Sequence, residues 1–315
     1  MIKFIRLLWE KLFGKSSEHL DGSNLFVNEY TSMAQFLTLP QLYKVVPMVR
    51  MPFRYSEFSG FFSNGFHLQS CRVSIVALLD EYYNDATMFG RLNFIKTRMP
   101  YIKFIELFNE LPQCVYGGDQ IGSLQQLLEL TNKFSDWVHT NMPTVKVITM
   151  APYNSLDERA FPAWDGLTNT RILKDLILYT TADIAAIHLY GESLSKQMAI
   201  YTLKENLDKW NKEATYKKKI WITETGVEGW DSHVSFYKDA IKMYRNILKP
   251  EKIFWYRQKI NGRTLQDADY ALEFEEGTIK GYSALYNLLK EMHVYERKED
   301  EHIERYYTEE AYGVD

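Results

Sequence analysis

The chain has 315 residues, a hydrophobic fraction of 46% and a formal net charge of −4 at pH 7. That is enough apolar material for one sizeable core, and the mildly acidic balance leaves no overall electrostatic footprint for nucleic acid or anionic lipid. Two cysteines, Cys71 and Cys114, are too few for a disulfide framework, which excludes the small stapled scaffolds and favours free thiols in a reducing compartment.

The chain opens on MIKFIRLLWEKLFGKSS. A secretory leader needs an apolar stretch of roughly 7–15 residues. Lys3, Arg6, Glu10 and Lys11 break this segment into short uncharged runs. No stretch approaches the ~18 apolar residues of a membrane-spanning helix. Residues 1–20 are therefore read as an amphipathic helical extension. It either packs against the body of the protein or makes a peripheral contact with a membrane surface or a protein partner. The missing leader gives the expectation of a cytoplasmic location.

Short, buried-type apolar runs follow, each bounded by polar or turn residues. They are Leu25–Asn28, Val45–Arg50, Val73–Leu79, Lys103–Asn109, Val145–Met150, Ile184–His188, Ile220–Thr223 and Ile253–Tyr256. Helical patterns fill most gaps: Asp85–Arg98, Ser123–Thr140, Arg171–Tyr179, Lys196–Glu213, Val234–Leu248 and Tyr282–Met292. The second unit is the weakest, with Pro47 inside its strand and residues 56–70 reading as loop. Eight strands alternating with helices predict a single-domain α/β fold, a (β/α)8 TIM barrel over residues 21–293. An open doubly wound sheet fits the same alternation. Residues 294–315 form a charged C-terminal tail, with eight Asp or Glu, three Lys or Arg and four Tyr.

In a barrel of this type the site lies at the C-terminal ends of the strands. There the chain carries Arg50, Asp80, Asn109-Glu110 (in IELFNELP), His188-Leu189-Tyr190, Glu224 (in WITETG) and Trp255 with Tyr256. Asp80 either contacts substrate or caps the helix that follows it. Two carboxylates stand on roughly opposite strands, four and seven, so their ends can flank a bond held over the mouth. Glycosidic cleavage needs such a pair: one carboxyl to protonate the leaving oxygen, and one carboxylate to attack the anomeric carbon or activate water.

This set resembles that of the clan A glycoside hydrolases, retaining (β/α)8 enzymes with an Asn-Glu pair after strand four and a glutamate after strand seven. The pattern is most similar to the cellulase-like members and spans about residues 25–290. The resemblance implies Glu110 as acid/base and Glu224 as nucleophile. Arg50 and Tyr190 would hydrogen-bond Glu224, and Asn109 would hold the sugar 2-hydroxyl. His188 would line the site near Glu110, and Trp255 would be the floor on which the sugar stacks. Departures leave the family within the clan open. Leu79-Asp80-Glu81 stands where cellulase-like members carry a strand-three His, and Leu111 separates Glu110 from Pro112.

Other motifs point to less. Gly117-Gly118-Asp119 lacks the lysine of a phosphate-binding loop and reads as a flexible βα loop. Trp164 and Trp230 read as loop packing, and Glu228 as a solvated acid. No His or Cys spacing matches a zinc motif, so no metal and no cofactor are expected. A barrel lyase or aldolase would need a Schiff-base lysine at a strand end, and none stands there. Two functions remain: hydrolysis or transfer of a glycosidic bond in an oligo- or polysaccharide with retention, and a catalytically silent barrel that binds glycan or a protein partner.

Overall fold

The computed structural model describes residues 20–24, 48–54, 58–70, 73–112, 121–156, 158, 160–191, 197–256, 259–261, 272–276 and 279–290. The expected N-terminal extension, the C-terminal tail, the run Leu25–Asn28, Pro47, both cysteines and the Gly117-Gly118-Asp119 loop lie outside these residues.

The barrel strands are β1 (Gly22–Asn24), β2 (Met48–Pro52), β3 (Ser74–Leu79), β4 (Phe104–Leu107), β5 (Lys146–Ile148), β6 (Ile184–Tyr190), β7 (Lys219–Gly226) and β8 (Lys252–Trp255). Each pairs in parallel with its neighbours, and β8 returns to β1, closing the barrel. The open sheet is thereby excluded. The first strand lies upstream of Leu25–Asn28, at Gly22–Asn24, a polar run held between β2 and β8.

Strand parity sorts the side chains. Met48, Val76, Phe104, Ile148, Ile184, Ala186, Trp221 and Phe254 fill the barrel interior. Their neighbours Val49, Ile75, Ala77, Ile105, Val147, Ala185, Ile187, Ile222 and Ile253 face the helices and join the larger outer core. Strands buried on both faces read as continuous apolar runs rather than as alternation, which is the pattern of this chain.

The helices are α1 (Phe58–Ser70), α2 (Asp85–Arg98), α3 (Leu124–Asn141), α4 (Asn169–Tyr179), α5 (Gln197–Glu213), the helical run 233–247, α6, which contains a π segment at Tyr237–Ile241, and a last helical run at 284–290. Caps explain where several start. The Asn84 side chain accepts from Thr87 N–H, that of Ser123 from Gln126 N–H, and that of Thr168 from Arg171 N–H. In α3, Leu124, Leu127, Leu128, Thr131, Phe134, Ser135 and Val138 form the buried stripe, at helical spacing.

Residues 58–70 are helix, not loop. Phe61, Gly65 and Leu68 share the buried face, and Phe61 stacks on Phe53 with ring centroids 4.2 Å apart. Gly60, Ser63, Asn64 and Gly65 lower the helix propensity and hide the period. Gly65 lets the helix approach closely: a Cβ there would lie 2.3 Å from Met99 Cε, and the methionine end would have to move aside. Small strands decorate the barrel after β5 (Ala160–Phe161 with Leu167–Thr168) and after β8 (Lys259–Asn261, Glu273–Glu276 and Ile279–Tyr282). Among the described residues no helix is long and apolar enough to cross a membrane.

Candidate active site

Inward parity on β2 and β4 puts Arg50 and Glu106 inside the barrel, one layer above Met48 and Phe104. Arg50 is the hub. Its Nε donates to Glu106 Oε2 at 2.5 Å, and its Nη2 to Glu106 Oε1 at 2.9 Å and to Asn109 Oδ1 at 2.7 Å. Its Nη1 donates to Glu224 Oε1 at 2.5 Å. A planar guanidinium suits this task, because its fork meets two carboxylates and an amide in fixed directions. Glu106 was not among the residues singled out from sequence. The signal that could have found it is an acid in the middle of an apolar strand, since unpaired buried acids are rare.

Beyond β4 the backbone turns sharply. Phe108 and Glu110 both adopt left-handed conformations, φ 66° and 53°. Such positions cost on the order of 1–3 kcal/mol each and persist only when the surroundings hold them. Here Phe108 N–H donates to Leu79 C=O, Glu110 N–H donates to Ala151 C=O, and the Phe108 ring packs near Tyr82 and Phe134. The turn sends Phe108 out to the helices and leaves Asn109 and Glu110 at the mouth. There Glu110 Oε1 lies 2.7 Å from His188 Nδ1. His188 and Tyr190 share the inward face of β6 with Ile184 and Ala186.

Glu224 faces inward through a bulge. On β7, Trp221 fills the interior, so strict alternation would send Glu224 outward. The register shows the correction: Ile187 pairs with Ile222 but His188 with Glu224, and Ile253 pairs with Ile222 but Trp255 with Thr225. One extra residue in β7 re-aims the carboxylate, a common use of bulges beside active sites. Glu224 Oε1 then meets Arg50, and Oε2 accepts from the Tyr190 hydroxyl.

The electrostatics separate the carboxylates. Burial pushes Glu224 up, but the nearby charges of His188 and Arg50 and the hydrogen bonds from Tyr190 and Arg50 outweigh it, holding its carboxyl below the usual value. Burial pushes Glu106 up too; Arg50 opposes the rise without cancelling it, and the Glu224 charge adds to it. Burial and the charges of Glu224 and Glu110 raise the Tyr190 hydroxyl well above its ordinary range, so it keeps its proton and donates. For Arg50, burial works against the charge, but Glu106 and Glu224 more than offset it, and the guanidinium stays protonated.

Of the residues expected at the site, Arg50, Asn109, Glu110, His188, Tyr190 and Glu224 converge. Trp255 does not. It is fully buried, belongs to the outer core, and its ring packs edge-on against His233 and Phe236 of α6, at centroid distances of 5.0 and 5.9 Å. Its parity on β8 is opposite to that of the interior Phe254, so its face is turned away from the mouth. Tyr256 has the inward parity instead, and its ring lies 6.0 Å from that of Tyr190.

Asp80 does not cap α2, since Asn84 does. It is buried at the mouth and accepts through Oδ2 from Arg54 Nε and Nη2, at 3.0 and 2.9 Å. Trp164 is buried, Trp230 partly exposed and Glu228 exposed.

One carboxylate oxygen from each of Glu110 and Glu224 and a ring nitrogen of His188 lie within 4.8 Å of one another. A pair of carboxylates at that spacing can address the two sides of one bond.

The family profile described as glycosyl hydrolase catalytic core matches residues 168–286. No curated protein matches the chain by sequence. An endo-1,4-β-D-mannanase from Thermotoga petrophila, solved with maltose and glycerol, is similar with a TM-score of 0.57 and 15% identity, over 87% of this chain and 99% of that one. A family 39 glycoside hydrolase from the gut symbiont Bacteroides cellulosilyticus gives a TM-score of 0.60 and 11% identity, over 87% of this chain and 63% of that one. An endo-1,4-β-mannanase from Rhizomucor miehei gives 0.52 and 10%, over 87% and 95%. At such identities the likeness carries the fold. It is a (β/α)8 barrel like those of glycoside hydrolases, in agreement with the clan A resemblance of the strand-end residues.

Proposed function

We propose that this chain is a glycosidase that cleaves an oligo- or polysaccharide with retention of configuration. The observation that carries the reading is the close approach of the two carboxylates, with one oxygen of each within 4.8 Å. Carboxyls about 5–5.5 Å apart suit attack by one of them on the sugar, whereas about 6.5–9.5 Å leaves room for an attacking water. The unequal surroundings support the same division of labour. Glu224, held ionised by Arg50 and Tyr190, attacks the anomeric carbon, and the glycosidic C–O bond breaks as Glu110 gives its proton to the leaving oxygen. Glu110, left as a carboxylate by that transfer and facing a neutral ester at Glu224, then takes a proton from the incoming water, whose oxygen bonds to the anomeric carbon as the ester bond breaks, freeing the sugar and the Glu224 carboxylate. Transfer to a sugar hydroxyl in place of water follows the same course. Asn109, held by Arg50, is positioned for the 2-hydroxyl contact that strengthens in the transition state.

The test is a panel of aryl glycosides and polysaccharides, with the anomer of the first-formed product read by NMR. Turnover with the retained anomer is expected, abolished in Glu224→Gln and restored by azide in Glu224→Gly with inverted product. Activity that survives Glu224→Gln removes the nucleophile assignment. Glycan binding without turnover of any substrate favours the silent barrel.

A further inference from the structure

We propose that Arg54, aimed by Asp80, is a specificity-determining residue of the barrel mouth: its guanidinium donates a hydrogen bond to a hydroxyl of the bound sugar, and the subsite it forms takes a neutral glycan. The proposal deepens the glycosidase reading and rests on a sugar seated between Glu110 and Glu224.

Register places the pair. Arg50 pairs with Val76, Pro52 with Leu78, and Leu78 in turn with Glu106. The ladder runs a step further, since Phe53 N–H donates to Leu78 C=O and Phe108 N–H to Leu79 C=O. Inward parity continued past these pairs puts Arg54 and Asp80 on the face of Arg50 and Glu106, nearer the mouth. Asp80 follows directly on Leu79, to which the turn bearing Asn109 and Glu110 is tied. The pair therefore stands above the Arg50 hub, on the side of the mouth that carries Asn109.

Exposure separates Arg54 from these neighbours. Its side chain is 24% exposed, whereas Arg50, Asp80, Glu106, Glu110 and Glu224 are buried. A group that meets substrate must be both reachable and held. Asp80 does the holding, accepting through Oδ2 from both Nε and Nη2 of Arg54. Its Oδ1 has no hydrogen-bond partner among the described residues. An ion pair built for stability would close both oxygens with a parallel fork; this one fixes the direction of the guanidinium and leaves half the carboxylate unused. The backbone beneath is braced as well. Arg91 of α2 is fully buried and donates to Phe53 C=O at 3.0 Å and to Glu81 C=O. It thus clamps the chain one residue before Arg54 and one residue after Asp80.

The same charges name the ligand. Asp80, and Glu81 Oε1 at 4.0 Å, offset the positive charge of Arg54, so a uronic acid or sulfated sugar gains little there. The guanidinium N–H groups still donate, and a neutral hydroxyl oxygen accepts. A site built to hydrogen-bond a hydroxyl rejects the sugar that lacks it, because a polar group is left unpaired.

The test uses the full-length protein with p-nitrophenyl glycosides and biosides of glucose, mannose, galactose and xylose, the glucuronide, and monodeoxy analogues of whichever is turned over. In the parent, loss of one hydroxyl other than the 2-hydroxyl should lower kcat/KM by about tenfold or more. In Arg54→Met that penalty should shrink to about twofold or less, while the 2-deoxy penalty stays. Arg54→Met leaves a buried carboxylate without its cation, so Arg54→Met/Asp80→Asn, checked for folding by circular dichroism, is the second variant and should behave alike. Asp80 is a positioning residue: Asp80→Asn, which still offers Arg54 an oxygen, should keep most of the penalty, and Asp80→Ala should lose it. A merely structural role would slow every glycoside equally and leave each deoxy penalty intact. That result, or a preference for the glucuronide, overturns the proposal and leaves the glycosidase reading standing. For a chain that turns over no glycoside, the same comparisons are made on Kd by calorimetry. An Arg54-dependent penalty there keeps the subsite and removes the glycosidase reading; absence of both binding and turnover removes both.

Discussion

Replacing Arg50 with lysine keeps a positive charge in the barrel and removes the flat fork that distributes it. Arg50 is 2% exposed and, among the described residues, makes four side-chain hydrogen bonds, two to Glu106 and one each to Asn109 and Glu224. An ammonium is a compact centre with three donors and no planar fork. It can keep one carboxylate and one further partner, so two of the four bonds are lost. A hydrogen bond to a charged group contributes about 1.5–3 kcal/mol, which puts the loss at roughly 3 kcal/mol even at the lower bound. Unfolding by denaturant, with circular dichroism as readout, should show a lower midpoint at unchanged m-value. The second readout is the pH profile of kcat/KM. Its acid limb reports ionisation of the nucleophile in the free enzyme. Glu224 loses the guanidinium that helps hold its carboxyl low, so that limb should move to higher pH and kcat should fall. A variant within about 0.5 kcal/mol of the parent, with its acid limb in place, would refute the reasoning.

Three further outcomes follow from the same geometry. Glu106→Gln removes a negative charge competing with Glu224 for Arg50, so the acid limb of kcat/KM should move to lower pH, opposite in sign to Arg50→Lys. Trp255→Ala should cost about 3–5 kcal/mol in denaturant unfolding, as for other buried aromatics, with KM of the folded enzyme unchanged; a large rise in KM at preserved stability would return the tryptophan to the substrate. Asp183 is pushed up by burial, but hydrogen bonds from Lys146, Val147 N–H and His139 outweigh this and hold its carboxyl low. Its stabilisation is present above the unfolded value of about 3.9 and is lost as pH falls through the lower folded value. Asp183→Asn should flatten that acid-side slope and cost about 1–3 kcal/mol at neutral pH, read by thermal unfolding across pH.

The residues that were legible in the sequence, and those that were not, divide along a physical line. Strands buried on both faces announce themselves as apolar runs, and the polar residues at their ends are conspicuous against them. Arg50, Asn109, Glu110, His188, Tyr190 and Glu224 were found this way. Direction within a strand was less readable. A run such as FWYR offers two aromatics of opposite parity, and only the register of β8 against β7 decides that Trp255 faces α6 and Tyr256 the mouth. Glu106 stayed hidden because its partner lies on another strand, and a lone acid between Ile105 and Leu107 carries no label of its own. The helix at residues 58–70 was masked by two glycines, one of which serves close packing against Met99. Among its described side chains the buried ones, Phe61 and Leu68, are seven residues apart, too sparse to carry a period.

The bulge in β7 gives this barrel an unusual vulnerability. What aims Glu224 at the bond is a count of backbone units, not the identity of any side chain. Substitutions at Thr223 that leave the chain length alone keep the carboxylate aimed inward. Paired without the bulge, the same residues would alternate strictly and turn by half a turn after Thr223, carrying Glu224 outward to the helix layer and bringing Thr225 to the mouth. Every letter of the catalytic set would still be present, in order, in a protein that had lost its nucleophile. In barrels built like this one, whether the seventh strand pairs through a bulge or by plain alternation says more about whether chemistry survives than the motif on either side of it.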